Sequence, residues 1–202
     1  MYARMADRHF RSGTRRGPAR RSETTRELGC SSTSTSSMCG VDPKYSVFVQ
    51  DRTDAFAIVD DNIPTYNKLE YNKDNVCSHT ILLFLRKQTK NIMYKKAAYL
   101  LWDQLKTHSR TKEDGFLHKL IYPYQVWLHG LFMMEPFYAQ YALLFKEPGQ
   151  FDGIVLDFTL IEKCARDAKT GLLYHGYDEL RQQAWADPET ERSPSFKGRA
   201  LG

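Results

Sequence analysis

The chain has 202 residues, 42% of them apolar and 13% aromatic, which suffices for one medium domain with a core of its own. No stretch reaches the roughly 18 uninterrupted apolar residues that a membrane-spanning helix needs, so no membrane partner is expected. The net charge of +5 sits in residues 1–44, where eight arginines and Lys44 face Asp7, Glu23, Glu27 and Asp42 (9 − 4 = +5); the remainder balances at 20 basic and 20 acidic residues.

That balance leaves the folded part without the basic face a nucleic-acid partner requires, and none is expected. Residues 1–44 read as a disordered tail, because RSGTRRGPARRSETTR and SSTSTSS bury too little apolar surface to offset the entropy of ordering. The tail is rich in arginine and serine and poor in acid, the outline of a mitochondrial transit peptide, with a plain solvated tail as the alternative. It contains no apolar h-region of roughly 7–15 residues, so no secretory signal is expected and the protein is assigned to the cytoplasm. Cys30, Cys39, Cys77 and Cys164 are widely spaced without a CxxC pair, which argues against a disulfide framework or a zinc finger and for reduced thiols.

Residues 45–202 form the domain. YSVFVQDRTDAFAIV places Val47, Phe48, Phe56, Ile58 and Val59 near one helical face, and the segment from Asp60 to Pro64 ends it. A second helix runs through ILLFLRKQT, with Ser78 or Thr80 available as its cap. In YKKAAYLLWDQLK, Tyr94, Ala97, Ala98, Leu101 and Leu105 follow the i, i+3, i+4, i+7 spacing of an amphipathic helix. Val126 to Phe145 is apolar nearly all round and predicts a deeply buried helix that Pro136 should kink or interrupt by one hydrogen bond. A further amphipathic helix spans Phe151 to Arg166. Strand signals are few and short. The loops between helices are rich in Gly, His, Tyr and Asp, which suggests an all-α assembly of hairpins carrying a site on its loops.

Those loops carry a resemblance. HKLIYPYQVWLHGLFMMEPF, LIEKCARDAKTGLLYHGYDE and WADPETERSPSFKGRA, in that order, with YNKDNV upstream, resemble successive motifs of glycoside hydrolase family 105, the unsaturated rhamnogalacturonyl hydrolases. The match runs over about residues 45–202. The resemblance implies an (α/α)6 barrel of six helical hairpins, of which this chain would hold roughly the first half, and a truncated domain whose uncovered apolar faces favour aggregation or assembly. It also implies an unsaturated oligosaccharide as partner, with no cofactor.

Enzymes of that family are expected to act on pectin rhamnogalacturonan fragments. A carboxylic acid protonates the C4=C5 double bond of an unsaturated galacturonyl residue, water adds at C5, and collapse of the hemiketal releases rhamnose. By resemblance, Asp74 matches the second family aspartate, which holds substrate and water. His118, Lys119 and Tyr122 fall in the substrate-contact segment HKxxY; Trp127 and Met133 match pocket-wall residues; His175 in YHGYD matches a substrate-contacting histidine. Arg199 matches the arginine beside the sugar carboxylate, a task that suits its planar fork. Two departures stand out. Lys197 occupies the tryptophan position of the family's FWGRA, and His129 occupies the position of the general acid/base, where WLHG replaces WLDG. An imidazole can carry a proton near neutral pH, but its donor atoms sit differently from a carboxyl's, and a displacement of about 1 Å can cost roughly a hundredfold in rate. Activity is therefore expected to be much reduced or absent, and a non-catalytic sugar-binding remnant or gene fragment is the alternative.

Without the resemblance the same residues read more plainly. Asp74 alone suits a helix cap or a surface carboxylate. His118, His129 and His175, spaced by 11 and 46 residues, fit no zinc signature, so no metal site is expected. Of Trp127, Phe132, Met133, Met134 and Phe137, most should be core and about two should line a pocket. Arg199 near a terminus reads as a solvated charge.

Overall fold

The computed structural model describes residues 43–56, 63–64, 66–77 and 79–193. Among them lie, in order, helices α1 (Pro43–Phe56), α2 (Asp74–Cys77), α3 (Thr80–Thr89) and α4 (Ile92–Thr107), strand β1 (Gln125–Trp127), helices α5 (Leu128–Phe145) and α6 (Phe151–Ala165), and strand β2 (Gly176–Asp178). Arg199, Lys197, Ser78, Ile58, Val59, Cys30 and Cys39 lie outside the described residues. Cys77 and Cys164 form no disulfide. No helix among the described residues is long and apolar enough to cross a membrane.

The fold is mostly helical, as expected. α3 and α4 are separated by two residues, Lys90 in the left-handed region (φ 59°) and Asn91, whose side chain caps α4 by accepting from the Met93 N–H at 3.0 Å. So short a link folds the two helices back on each other as a hairpin, and α5 and α6 form a second one. The α4 face is the expected one: Tyr94, Ala97, Ala98, Leu101 and Leu105 are all buried. They meet α3 and α5 in the main core, where Trp102 stacks on Tyr141 at 4.5 Å and meets Tyr138 edge-on at 5.2 Å.

Four local expectations change. Val47 is 60% exposed, whereas Val49 and Thr53 face inward on α1. Thr80 does not cap α3, since its hydroxyl donates to the Cys77 carbonyl from the first helical turn. Val126 and Trp127 lie not in the long helix but in β1, paired antiparallel with Gly176 and Tyr177, so α5 begins at Leu128. Nor is α5 buried all round. It runs through Pro136 as one helix, yet Phe132 (54%) and Leu143 (69%) are exposed, as are Val155 (62%) and Phe158 (52%) on α6.

One buried polar cluster joins distant segments. Lys73 Nζ donates to Asp157 Oδ2 at 3.0 Å with both side chains 1% exposed, and Asp157 Oδ1 accepts from the Phe116 N–H at 3.0 Å. Glu135 is buried beside them; burial pushes its carboxyl up to about 9 against the pull of Lys73, with Asp157 pushing the same way. At neutral pH Glu135 is therefore a neutral acid and adds no charge beside the Lys73–Asp157 ion pair. Removing one partner of such a pair strands the other charge. Lys73→Met should cost about 3–5 kcal/mol in urea unfolding, and adding Asp157→Asn should recover most of that loss. An additive double mutant would show that the pair is not coupled.

Two buried histidines set an acid limit on the fold. His79 and His108 are held neutral, each lowered by burial from the ordinary 6.5 to about 4; the Asn75 and Leu117 carbonyls oppose that shift only in part. The unfolded chain takes up two protons below pH 6.5 that the folded chain refuses. Their contribution to stability is thus complete above pH 6.5 and is lost as pH falls toward 4. We predict a slope from these two groups on the order of 2–3 kcal/mol per pH unit between pH 6 and 4.5, and a slope smaller by one proton in His108→Gln. Urea titrations across that range measure it; equal slopes in both proteins would contradict the assignment.

Candidate active site

The site is built where β1 runs into α5. The Trp127–Gly176 pairing sets the strand ends against each other, and the Leu128 N–H donates to the His175 carbonyl at 2.7 Å. Gly176 is required by this close approach, since a Cβ there would stand 2.7 Å from the Val126 carbonyl oxygen. Trp127, His129 and His175 are thereby gathered at one end of the small sheet. His129 and His175 stack at 5.2 Å with rings 14° from parallel, and Trp127 meets His175 edge-on at 5.0 Å.

The loop before β1 supplies the opposite side. His118 is fixed by its backbone: its N–H donates to the Gln125 carbonyl at 3.0 Å, and its carbonyl accepts from the Lys73 N–H at 3.1 Å. The second bond ties His118 to the residue preceding Asp74, so the two side chains enter the same space. The glycine of WLHG is what lets Lys73 and His118 approach α5. A Cβ on Gly130 would stand 3.1 Å from Lys73 Cδ and 3.3 Å from His118 Nδ1. Trp127, Tyr122 and the His118 ring are nearly parallel, with Trp127 at 5.3 Å from His118 and 5.9 Å from Tyr122. They form a wall of flat surfaces suited to a sugar ring.

Asp74 is the electrostatic centre. Lys119 Nζ lies 2.7 Å from its Oδ2, His118 Nε2 lies 3.7 Å from Oδ2, and His129 Nε2 lies 3.6 Å from Oδ1. Burial alone would raise this carboxyl, but His129, Lys119 and His118 outweigh it and hold Asp74 well below the usual carboxylate range. Asp74 is therefore ionised at neutral pH. His118 is pushed down to about 3 by burial, against the pull of Asp74, and is a neutral imidazole. His175 is lowered by burial and by His129.

The structure thus brings together Asp74, His118, Lys119, Tyr122, Trp127, His129 and His175. Met133 is half-buried one turn along α5 from His129, while Met134 and Phe137 are core and Phe132 is exposed. The expected Arg199 lies outside the described residues. Sequence reasoning missed Trp185, which meets Trp127 edge-on at 6.1 Å; its place in WADPETERSPSFKGRA was the available signal. It also missed that the carboxylate joins the imidazoles. The spacing argument grouped the three histidines, whereas Asp74, His118 and His129 are the residues whose donor atoms, one from each, lie within 4.8 Å of one another.

The fold has counterparts among known proteins. Residues 40–202 match the family model described as Glycosyl Hydrolase Family 88. A glycoside hydrolase from family 105 of C. acetobutylicum ATCC 824 superposes with a TM-score of 0.80 at 41% identity, over 87% of this chain and 49% of that one. A possible family 105 member from Klebsiella pneumoniae subsp. pneumoniae shares the fold at 18% identity, with a TM-score of 0.63 over 81% of this chain and 42% of that one. The 24.9 kDa protein in the picA locus of Rhizobium radiobacter is 36% identical over 67 residues, 33% of this chain and 28% of its own. The chain thus spans about half the length of the solved family 105 hydrolases, and its helices correspond to part of their helical barrel. On these matches the chain belongs to Glycosyl Hydrolase Family 88, among relatives of the family 105 glycoside hydrolases.

Proposed function

We propose that the chain binds, and slowly hydrates, an unsaturated uronic acid at the end of a pectin-derived rhamnogalacturonan fragment. The observation that carries this reading is the ionised Asp74, set between two imidazoles and Lys119, with the Tyr122 and Trp127 rings packed against one of those imidazoles. A ring stacked on that wall brings its hydroxyls to Asp74 and its carboxylate to the cationic side. Arg199 is assigned to that carboxylate by the motif it completes.

In this reading a proton is delivered to C4 while a water oxygen bonds to C5. The C4=C5 π bond supplies the electron pair for the new C4–H bond, and the water passes one proton to the Asp74 carboxylate. The C5 hemiketal then opens to a C5 ketone, its ring oxygen becomes the hydroxyl of a hemiacetal at C1, and collapse of that hemiacetal to an aldehyde breaks the glycosidic link, the rhamnose oxygen leaving with a proton. Asp74 cannot be the donor, because it is held ionised; it orients the water and accepts hydrogen bonds from the substrate. The donor role falls to His129, whose Nε2 faces Asp74. Its ring places the proton differently from a carboxyl group, which is the reason to expect a slow reaction.

Loss of the ultraviolet absorbance of the double bond, with purified chain and the unsaturated galacturonyl-rhamnose disaccharide between pH 5 and 8, measures turnover. We expect a weak rate that His129→Asp raises by about a hundredfold and Asp74→Asn abolishes. Calorimetric binding of the disaccharide without turnover by either the parent chain or His129→Asp would replace the enzyme with a sugar-binding module. Absence of binding as well as turnover would remove the proposal.

A further inference from the structure

The same three side chains have a second chemistry that does not depend on the sugar reading; the two exclude each other while an ion is bound, because a coordinated His129 Nε2 has no proton to donate. Asp74 comes from the first turn of α2, His118 from the loop before β1 and His129 from the first turn of α5, and one donor atom of each lies within 4.8 Å of the others. The Nε2 of His118 is 3.7 Å from one Asp74 oxygen, and the Nε2 of His129 is 3.6 Å from the other. Both gaps exceed hydrogen-bonding distance, which ends near 3.2 Å. Around a first-row metal ion with ligands at about 2.0–2.1 Å, neighbouring donors stand roughly 3.3 Å apart. Drawing donor atoms that lie within 4.8 Å of one another to that spacing takes side-chain movements on the order of 1 Å and puts both nitrogens and the carboxylate in one coordination shell.

His118 is the second observation. Its ring is 3% exposed, its Nδ1 has no hydrogen-bond partner, and its Nε2 is aimed at Asp74 beyond hydrogen-bonding range. A desolvated imidazole with neither nitrogen bonded is costly unless something else takes a lone pair. Asp74 Oδ1, on the side facing His129, is likewise buried without a hydrogen-bond partner. A buried imidazole whose Nε2 is aimed at the carboxylate and a carboxylate oxygen without a hydrogen-bond partner thus meet from two separate segments.

We propose that Asp74, His118 and His129 form a three-ligand site for a divalent first-row transition ion, with zinc(II) as the best match. Two imidazoles and a carboxylate suit zinc, and hard cations that prefer all-oxygen shells fit poorly. The Asp74 and His129 side chains remain 34% and 28% exposed, which leaves a coordination position open to water or a ligand oxygen. Lys119 opposes the ion. Its ammonium holds Asp74 Oδ2 at 2.7 Å, so the metal takes Oδ1, and the like charge beside it weakens binding.

The experiment is calorimetric titration of the chelator-stripped full chain with zinc chloride near pH 7.5, with cobalt(II) absorption as a second readout. We expect one ion per chain, binding weakened at least about tenfold in His129→Asn and in Asp74→Asn, and tightened several-fold in Lys119→Met. Circular dichroism checks that each variant is folded. The proposal is overturned if the parent chain binds no stoichiometric ion, or if folded His129→Asn binds as tightly as the parent. Should the ligand variants not fold, Lys119→Met decides: unchanged or weaker affinity overturns the site. Failure to turn over the disaccharide leaves these readouts untouched, so the two proposals fall separately.

Discussion

Lys73 and Asp157 form an ion pair almost wholly removed from water, and the candidate site hangs from it. Lys73 precedes Asp74, and its backbone N–H holds the carbonyl of His118. Asp157 holds Phe116 two residues before His118. One pair of charges thus ties the segments that carry the carboxylate and its buried imidazole to α6, and Gly130 leaves room for Lys73 and His118 against α5. A buried ion pair adds little to net stability when compared with good apolar packing. Its contribution here is positional: it makes the carbonyl, the carboxylate and the imidazole move as a unit.

Much of the helical frame was legible in the residues. The α4 face followed directly from its spacing, because Tyr94, Ala97, Ala98, Leu101 and Leu105 pack on one side and nothing in the tertiary structure competes with that pattern. β1 was hidden for the opposite reason. Val126 and Trp127 are apolar residues abutting an apolar helix, and periodicity cannot separate a three-residue strand from the helix it feeds. Only its partner Gly176–Asp178, some fifty residues later, makes it a strand. The site was legible as motifs and not as geometry. WLHG, HKLIY and YHGYD each mark one wall, but no local signal says that Asp74 sits between His118 and His129. That follows from backbone bonds between distant segments. The buried cluster of Lys73, Glu135 and Asp157 left no trace in the sequence, since each residue alone reads as a solvated charge.

A histidine at position 129 changes the character of the site more than its shape. The carboxylate of Asp74 faces two imidazoles and an ammonium, and the three together draw negative charge toward one point. That environment attracts a sugar carboxylate or holds an electron-pair acceptor against the imidazoles. It is a poorer place to keep a carboxylic acid protonated. In the proposed reading, binding and proton delivery, which a second carboxyl would combine, are thereby partly separated.

The buried ion pair also bears on how the molecule comes together. Lys73 and Asp157 are 84 positions apart, so their contact closes a long loop, and the entropy of that closure must be offset before the site exists. The α3–α4 hairpin closes through a two-residue link and needs no such help. Assembly order follows from this difference. The aromatic core can condense while the future pocket is still open chain, and Asp74 meets its imidazoles only once α6 has docked. A nascent chain that has not yet delivered Asp157 would hold a hydrophobic nucleus without the ion pair from which the candidate site hangs.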